Sequence, residues 1–318
     1  MSDLYSIGEM VVDFIPGTEE ASYIRKAGGA PANVAIGVSK NGLNASMCCK
    51  VGDDEFGRFL MDTLAEYHVE AACKELCKEA ITTMAFVTHK EAGERVFTFV
   101  RKPGADMMLS EKDVKEEDIK NSIIIHAGSC SLSAQPEADA TLKAMRLAHE
   151  FGRLVSFDLN YRDVMWNYDP AACAQVVKDN LKYIDFLKVS AEEIDMMGGE
   201  DALRAMMKEF DVSVIVETLG SKGAKALFKD GDIKVNGFRV PAVDATGCGD
   251  AFWGAFLSKL RHEGVEKSSD LTSNIIKDAM NYGNISGCIC VQTKGAIAAI
   301  PTRTQIENYI RDNNITFE

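Results

Sequence analysis

Strand-like apolar runs alternate with helix-like segments along most of this chain, and that alternation restricts its fold more than any other feature. Residues 4–8, 45–51, 123–128, 154–159, 186–189, 212–217 and 224–228 read as strands, and residues 30–41, 55–68, 137–150, 171–181 and 202–209 read as helices. Strands interleaved with helices build βαβ units, hence a mostly parallel sheet with helices on both faces. The strand runs are short and continuously apolar, as expected where both faces of a sheet are buried. At 318 residues the chain can hold one large α/β body with an appended subdomain.

Two segments, 13–26 and 82–101, break the rhythm. The second has strand-like halves around a hairpin turn signal at 91–94, and alternation through Val96, Phe97, Thr98, Phe99 and Val100 predicts a sheet covered on one face. We read both as a small β lid, giving a lid of 13–26 and 82–101 on a body of 1–12, 27–81 and 102–318; a plain antiparallel edge of the main sheet is the other reading. The charged run at 111–120 reads as a solvated helix face.

The composition, with 46% hydrophobic and 26% charged residues, is that of a globular protein, and the net charge of −13 disfavours binding to nucleic acid or anionic membrane. No apolar stretch is long enough to span a bilayer, and the opening MSDLYSIGEM lacks a basic region followed by an apolar run, so a cytoplasmic location is expected. The nine cysteines include no CxxC pair and are expected to be reduced. The five histidines form no ligand-spaced cluster, which argues against zinc.

The string Val243-Asp244-Ala245-Thr246-Gly247-Cys248-Gly249-Asp250 precedes an apolar helical segment. Two glycines there let the chain turn tightly with amides facing outward, and a helix N-terminus favours an anion. A carboxylate beside such a site suits a proton acceptor; a simple helix cap is the other reading of Asp250. Gly28, Gly29 and Asn33 start an earlier helix, where Asn33 can donate to and accept from a hydroxyl. Asp13 follows the first strand. Thr218, Gly220, Ser221 and Gly223 follow the strand at 212–217, where open parallel sheets bind ligands. Arg101 and Arg162 are cations at strand ends, able to fork hydrogen bonds to vicinal hydroxyls, a carboxylate or a phosphate.

Together these strings resemble the ribokinase-like (PfkB) carbohydrate kinases, in order along almost the whole chain. Asp244, Thr246, Gly247, Gly249 and Asp250 match D-x-T-G-x-G-D, and Gly28, Gly29 and Asn33 match G-G-x-x-x-N. The resemblance implies a three-layer α/β sandwich with a mostly parallel central sheet and a β lid. It implies that Asp250 is the catalytic base, with Gly247, Cys248 and Gly249 forming an anion hole. It further places Asp13, Gly28, Gly29 and Asn33 at the sugar. Ser190, Thr218, Gly220, Ser221, Gly223, Gly249 and Asn284 fall at the ATP. Ser190 stands where the family's N-x-x-E motif has Asn, and Glu193 then corresponds to the magnesium-linked carboxylate. Asp244 and the main chain at Thr246, Cys290, Thr293, Gly295 and Ala299 would bind K⁺.

Phe99, Arg101 and the Ala-Asp pair after it, and Asp158, Asn160 and Arg162 with Trp166 beyond, are similar to the fructokinase branch, with Leu159 where Pro is usual. They imply ATP- and Mg²⁺-dependent phosphorylation of fructose to fructose 6-phosphate. A 2-keto-3-deoxygluconate kinase shares both arginine stretches and is the alternative. An idle sugar- or nucleotide-binding protein on the kinase fold is a second, against which the intact Asp250 loop argues. No G-x-G-x-x-G follows the first strand, which argues against an NAD-dependent dehydrogenase. An exposed lid could pair two copies into a homodimer.

Overall fold

The apolar run near the N-terminus becomes strand β1 (Ser2–Ile7), buried from Leu4 onward because both of its faces are covered. In this computed structural model, which describes residues 1–19, 21–89 and 95–317, the first half continues with β2 (Val11–Pro16), β3 (Tyr23–Gly28), α1 (Ala30–Lys40), β4 (Ala45–Cys48), α2 (Glu55–Glu66), β5 (Val69–Ala71), β6 (Met84–His89) and β7 (Arg95–Val100). The second half adds α3 (Glu116–Lys120), β8 (Ser122–Gly128), α4 (Glu137–Glu150), β9 (Leu154–Asp158), α5 (Pro170–Asn180), β10 (Phe186–Ser190), α6 (Ala191–Met196), α7 (Glu200–Phe210), β11 (Val214–Thr218), β12 (Gly223–Phe228), β13 (Ile233–Asn236), α8 (Cys248–His262), α9 (Ser273–Cys290) and α10 (Arg303–Asp312). The hairpin turn expected at 91–94 lies outside the described residues.

Local chemistry sets the helix starts. The Asp54 side chain accepts from the Gly57 amide at the head of α2, and Asp169 accepts from Ala172 at α5, whose first residue is Pro170. Thr302 and Gln305 close a capping box on α10, a helix absent from the sequence reading.

Nine strands form one sheet in the order β13-β12-β11-β10-β9-β8-β1-β4-β5. It is parallel from β11 to β5, and β12 and β13 pair antiparallel at one edge. Successive strand residues point to opposite faces. Leu4 accordingly packs with Val34, Trp253 and Phe256 under α1, α8 and α9, whereas Tyr5 and Ile7 pack with Met145, Cys173 and Leu203 under α4, α5 and α7. The result is a three-layer sandwich. The chain runs outward from β1 to β4 and then returns to place β8 on the other side. This order reverses at β1, where the C-terminal ends of β1 and β8 open a crevice suited to ligands.

A second, separate sheet has the order β3-β2-β6-β7, with β2 and β6 parallel and the outer pairs antiparallel. The reading as an edge of the main sheet is therefore set aside. Val11, Val12, Ala27 and Gly28 belong to this sheet by hydrogen bonding, so it overruns the boundaries drawn at 12/13 and 26/27. The charged run at 111–120 is no single solvated helix: only Glu116–Lys120 is α-helical, and Asp113 is buried with an ion pair of 2.7 Å to Lys50. Among the described residues the nine cysteines form no disulfide; eight of them are buried and Cys248 is half-buried. Among the described residues no helix is long and apolar enough to cross a membrane.

Candidate active site

Two hollows meet at the start of α8. One, of about 140 Å³, lies at the crevice beside β1 and is lined by Asp13, Gly29, Asn33, Phe99, Asn160, Arg162, Thr246, Gly247 and Asp250, with Glu9, Asp163 and Met165 among their neighbours. The other, of about 360 Å³, is a more apolar cleft lined by Thr218, Gly220, Ser221, Gly223, Cys248, Gly249 and Asn284, with Phe238, Val240 and Val291. The turn 247–250 is their shared wall.

The geometry of that turn follows from its glycines. Gly247 has φ of 75° as the residue before α8, and a Cβ there would stand 2.7 Å from the Ala296 side chain. The Ala251 amide returns to the Gly247 carbonyl at 2.8 Å, while the amides of Gly249 and Asp250 find no backbone acceptor among the described residues. Two donors at a helix N-terminus thus face the junction of the hollows, an arrangement that attracts an anion.

Asp250 is anchored across the crevice, where its Oδ2 accepts from Asn33 Nδ2 at 2.7 Å. Burial pushes its carboxyl above the usual range, while Lys188 and Arg162 pull it down. Burial raises Asp13 to about 7, with Arg162 opposing the shift, and Glu9 is likewise raised by burial to about 7. Arg162 is solvent-open at the mouth of the cavity and donates to the Tyr161 carbonyl at 2.9 Å. In the cleft, Asn284 Nδ2 donates to the Asn236 carbonyl at 3.2 Å, leaving its other groups toward the hollow.

Several residues singled out from the sequence stand apart from these walls. Gly28 backs the Asp13 carboxylate, which occupies the space a Cβ would need. Arg101 does not border the cavity; its guanidinium pairs with Asp106 at 2.6 Å and Glu137 at 2.9 Å, both buried. Asp158 lies behind the wall, bonded to Lys188 at 2.7 Å. Ser190 caps α6, exchanging hydrogen bonds with Glu193 in a capping box. The Glu193 carboxylate accepts from the Tyr161 and Ser190 amides, each at 2.7 Å, and burial raises it. Asp244 accepts from the Thr246 amide at 2.8 Å and the Gly295 amide at 3.0 Å, tying the α8 turn to the segment that holds Thr293 and Ala299. The Cys290 carbonyl accepts the Thr293 amide at 3.1 Å.

Glu9, Asp163 and Lys188 were not singled out beforehand. Lys188 had a legible signal, a charged residue inside an apolar strand run, since lysine is almost never fully buried unless paired. Glu9 and Asp163 sit beside motif residues and carried no signal of their own.

A junction of a polar, carboxylate-rich cavity with an apolar cleft across an anion-attracting turn is the architecture of a small-molecule kinase. The family model for the pfkB family carbohydrate kinases matches residues 1–303, and the chain belongs to that family. Fructokinase-2 of Zea mays is 37% identical over 321 residues, covering 97% of this chain and 94% of the relative. Among solved structures, the fructokinase of Xylella fastidiosa with bound ATP superposes with a TM-score of 0.91 at 26% identity, covering 99% of this chain and 100% of that one. The fructokinase of Vibrio cholerae O395 in its fructose, ADP and calcium ion bound form gives 0.85 at 31% identity, covering 97% and 99%.

Proposed function

We propose that this protein transfers the γ-phosphoryl group of ATP to the primary hydroxyl of fructose, yielding fructose 6-phosphate. The carboxyl groups of the cavity carry the substrate reading: Glu9, Asp13, Asp163 and Asp250 line it beside the Arg162 guanidinium, with Glu9 and Asp13, raised to about 7, partly protonated near neutrality. A neutral polyol finds hydroxyl acceptors there, whereas the carboxylate of 2-keto-3-deoxygluconate would meet like charge. The relatives named as fructokinases support the same choice.

In this mechanism Asp13, Gly29, Asn33 and Arg162 hold the sugar with its primary hydroxyl toward Asp250. Asp250, oriented by Asn33, accepts the hydroxyl proton as the oxygen attacks. ATP lies in the cleft of Thr218, Gly220, Ser221, Gly223 and Asn284, with its terminal phosphate at the Gly249 and Asp250 amides, which stabilise charge developing on the transferring group. Glu193 fits a magnesium site, because each of its oxygens is engaged by one amide and keeps a lone pair. Mg²⁺ there would neutralise phosphate charge while retaining several waters. Asp244 and the carbonyls around Thr246 and Thr293 fit a monovalent cation behind the turn. The second sheet acts as a lid whose Phe99 closes over the sugar and excludes water. Its exposed Tyr23, Ile24 and Val100 support pairing with a second copy, and cysteines outside disulfides fit a reducing cytoplasm.

The deciding experiment is ADP formation with fructose and with 2-keto-3-deoxygluconate side by side, at saturating Mg²⁺ and K⁺. Fructose should be strongly preferred. Preference for the keto acid would overturn the substrate, and ATP consumption with neither would overturn both readings.

A further inference from the structure

We propose that Lys188 is a positioning residue for phosphoryl transfer: its ammonium, lodged beneath Gly249 and held by Asp158, sustains the charge on Asp250 and the set of the loop that carries it. This inference rests on the kinase reading above.

Lys188 lies in β10 with 7% of its surface exposed. The parallel register of β9 and β10 sets it beside Asp158, and Nζ donates to Asp158 Oδ2 at 2.7 Å. Nζ also stands 3.3 Å from where a Cβ on Gly249 would be. The second glycine of the turn therefore has a steric reason of its own, since a side chain there would press on the ammonium. An ammonium has three donors, and Asp158 accounts for one of those bonds among the described residues. A buried lysine so lightly bonded is held by the charges around it.

Those charges come from several neighbouring elements. Asp250 on α8, Asp158 on β9 and Glu193 on α6 face Lys188, and His126 on β8 lies within electrostatic reach. Burial holds His126 neutral, with its pKa pushed down to about 4. Asp250 is further flanked by Asn33 of α1, by Arg162 beyond β9 and by Cys290 at the end of α9. The like charge of Asp158, whose Oδ1 is buried with no hydrogen-bond partner among the described residues, pushes Asp250 upward while its Oδ2 holds Lys188. Lys188 and Asp158 thus carry opposite charges toward Asp250, so removing each should shift its titration in opposite directions.

The test is kcat against pH, with fructose and ATP saturating, for the wild type, Lys188→Met and Asp158→Asn. Lys188→Met should move the acid limb up by about 1–3 pH units, with kcat near neutrality down by about tenfold or more and the KM for fructose little changed. Asp158→Asn should move the limb down. A Lys188→Met profile that keeps its limb, or falls equally at every pH, would overturn the proposal. Should that variant fail to fold, Asp158→Asn decides alone: a limb that stays or rises overturns it. A wild type that uses another sugar in place of fructose would overturn the substrate reading, and the limbs would then be compared on that sugar.

Discussion

Asn33 Nδ2 donates to Asp250 Oδ2 across 2.7 Å, joining two residues 217 apart in sequence. The bond holds the carboxylate that the reaction needs in one orientation over the sugar cavity. Asp250→Asn keeps the shape and removes the proton acceptor, so kcat should fall by about 10²–10⁴-fold with fructose binding preserved. Steady-state kinetics alongside fructose titration would check this, and near-normal turnover would remove Asp250 as the base.

Asp13 should make stability and function pull apart with pH. Burial raises its carboxyl from 3.8 to about 7, so the folded chain holds this proton longer than the unfolded one. The penalty for ionising it is absent below the unfolded value, grows through the interval up to about 7 and is constant above it. Stability from this group is therefore present in acid and lost as pH rises. Asp13→Asn should melt higher than the wild type near pH 8 and show no gain near pH 4, while its KM for fructose rises. Thermal melts at both pH values, beside fructose kinetics, test the pair of effects.

Arg101→Ala leaves Asp106 and Glu137 buried without their guanidinium. Breaking a buried pair on one side costs about 3–5 kcal/mol, so urea unfolding should show a large loss of stability. An unchanged unfolding midpoint with a selective rise in fructose KM would instead place Arg101 on the sugar.

Gly247→Ala forces a side chain onto a residue with φ of 75° and against Ala296. The turn must shift and carry the Gly249 and Asp250 amides with it. Loss of one such donor costs about 10²–10³-fold in rate, and a drop in kcat of that order is expected, with binding of a non-hydrolysable ATP analogue retained.

The layered α/β fold was legible because continuous apolar runs and amphipathic segments report burial directly, whereas the order of the strands in the sheet was not. The D-x-T-G-x-G-D string was legible for a similar reason: its glycines and carboxylate must be contiguous to build one turn at one helix start. The sequence also held Asn33, Asp13 and Arg162 as candidates, and the fold brings all three to the same cavity. The overrun of the second sheet into Val11 and Gly28 was less legible, since strand ends depend on which partner supplies hydrogen bonds.

What the sequence by itself determined, then, was the local grammar: most of the strands, though not β5 or β13, the start of α8 to within a turn, and which side chains could meet a sugar or a phosphate. Tertiary structure alone decided the partners. It sent Arg101 to Asp106 and Glu137, placed Lys188 under Gly249, and engaged Glu193 with two amides. Those choices rest on distances between strands far apart in the chain, and on the cost of burying a charge without its counterpart, neither of which one-dimensional spacing records.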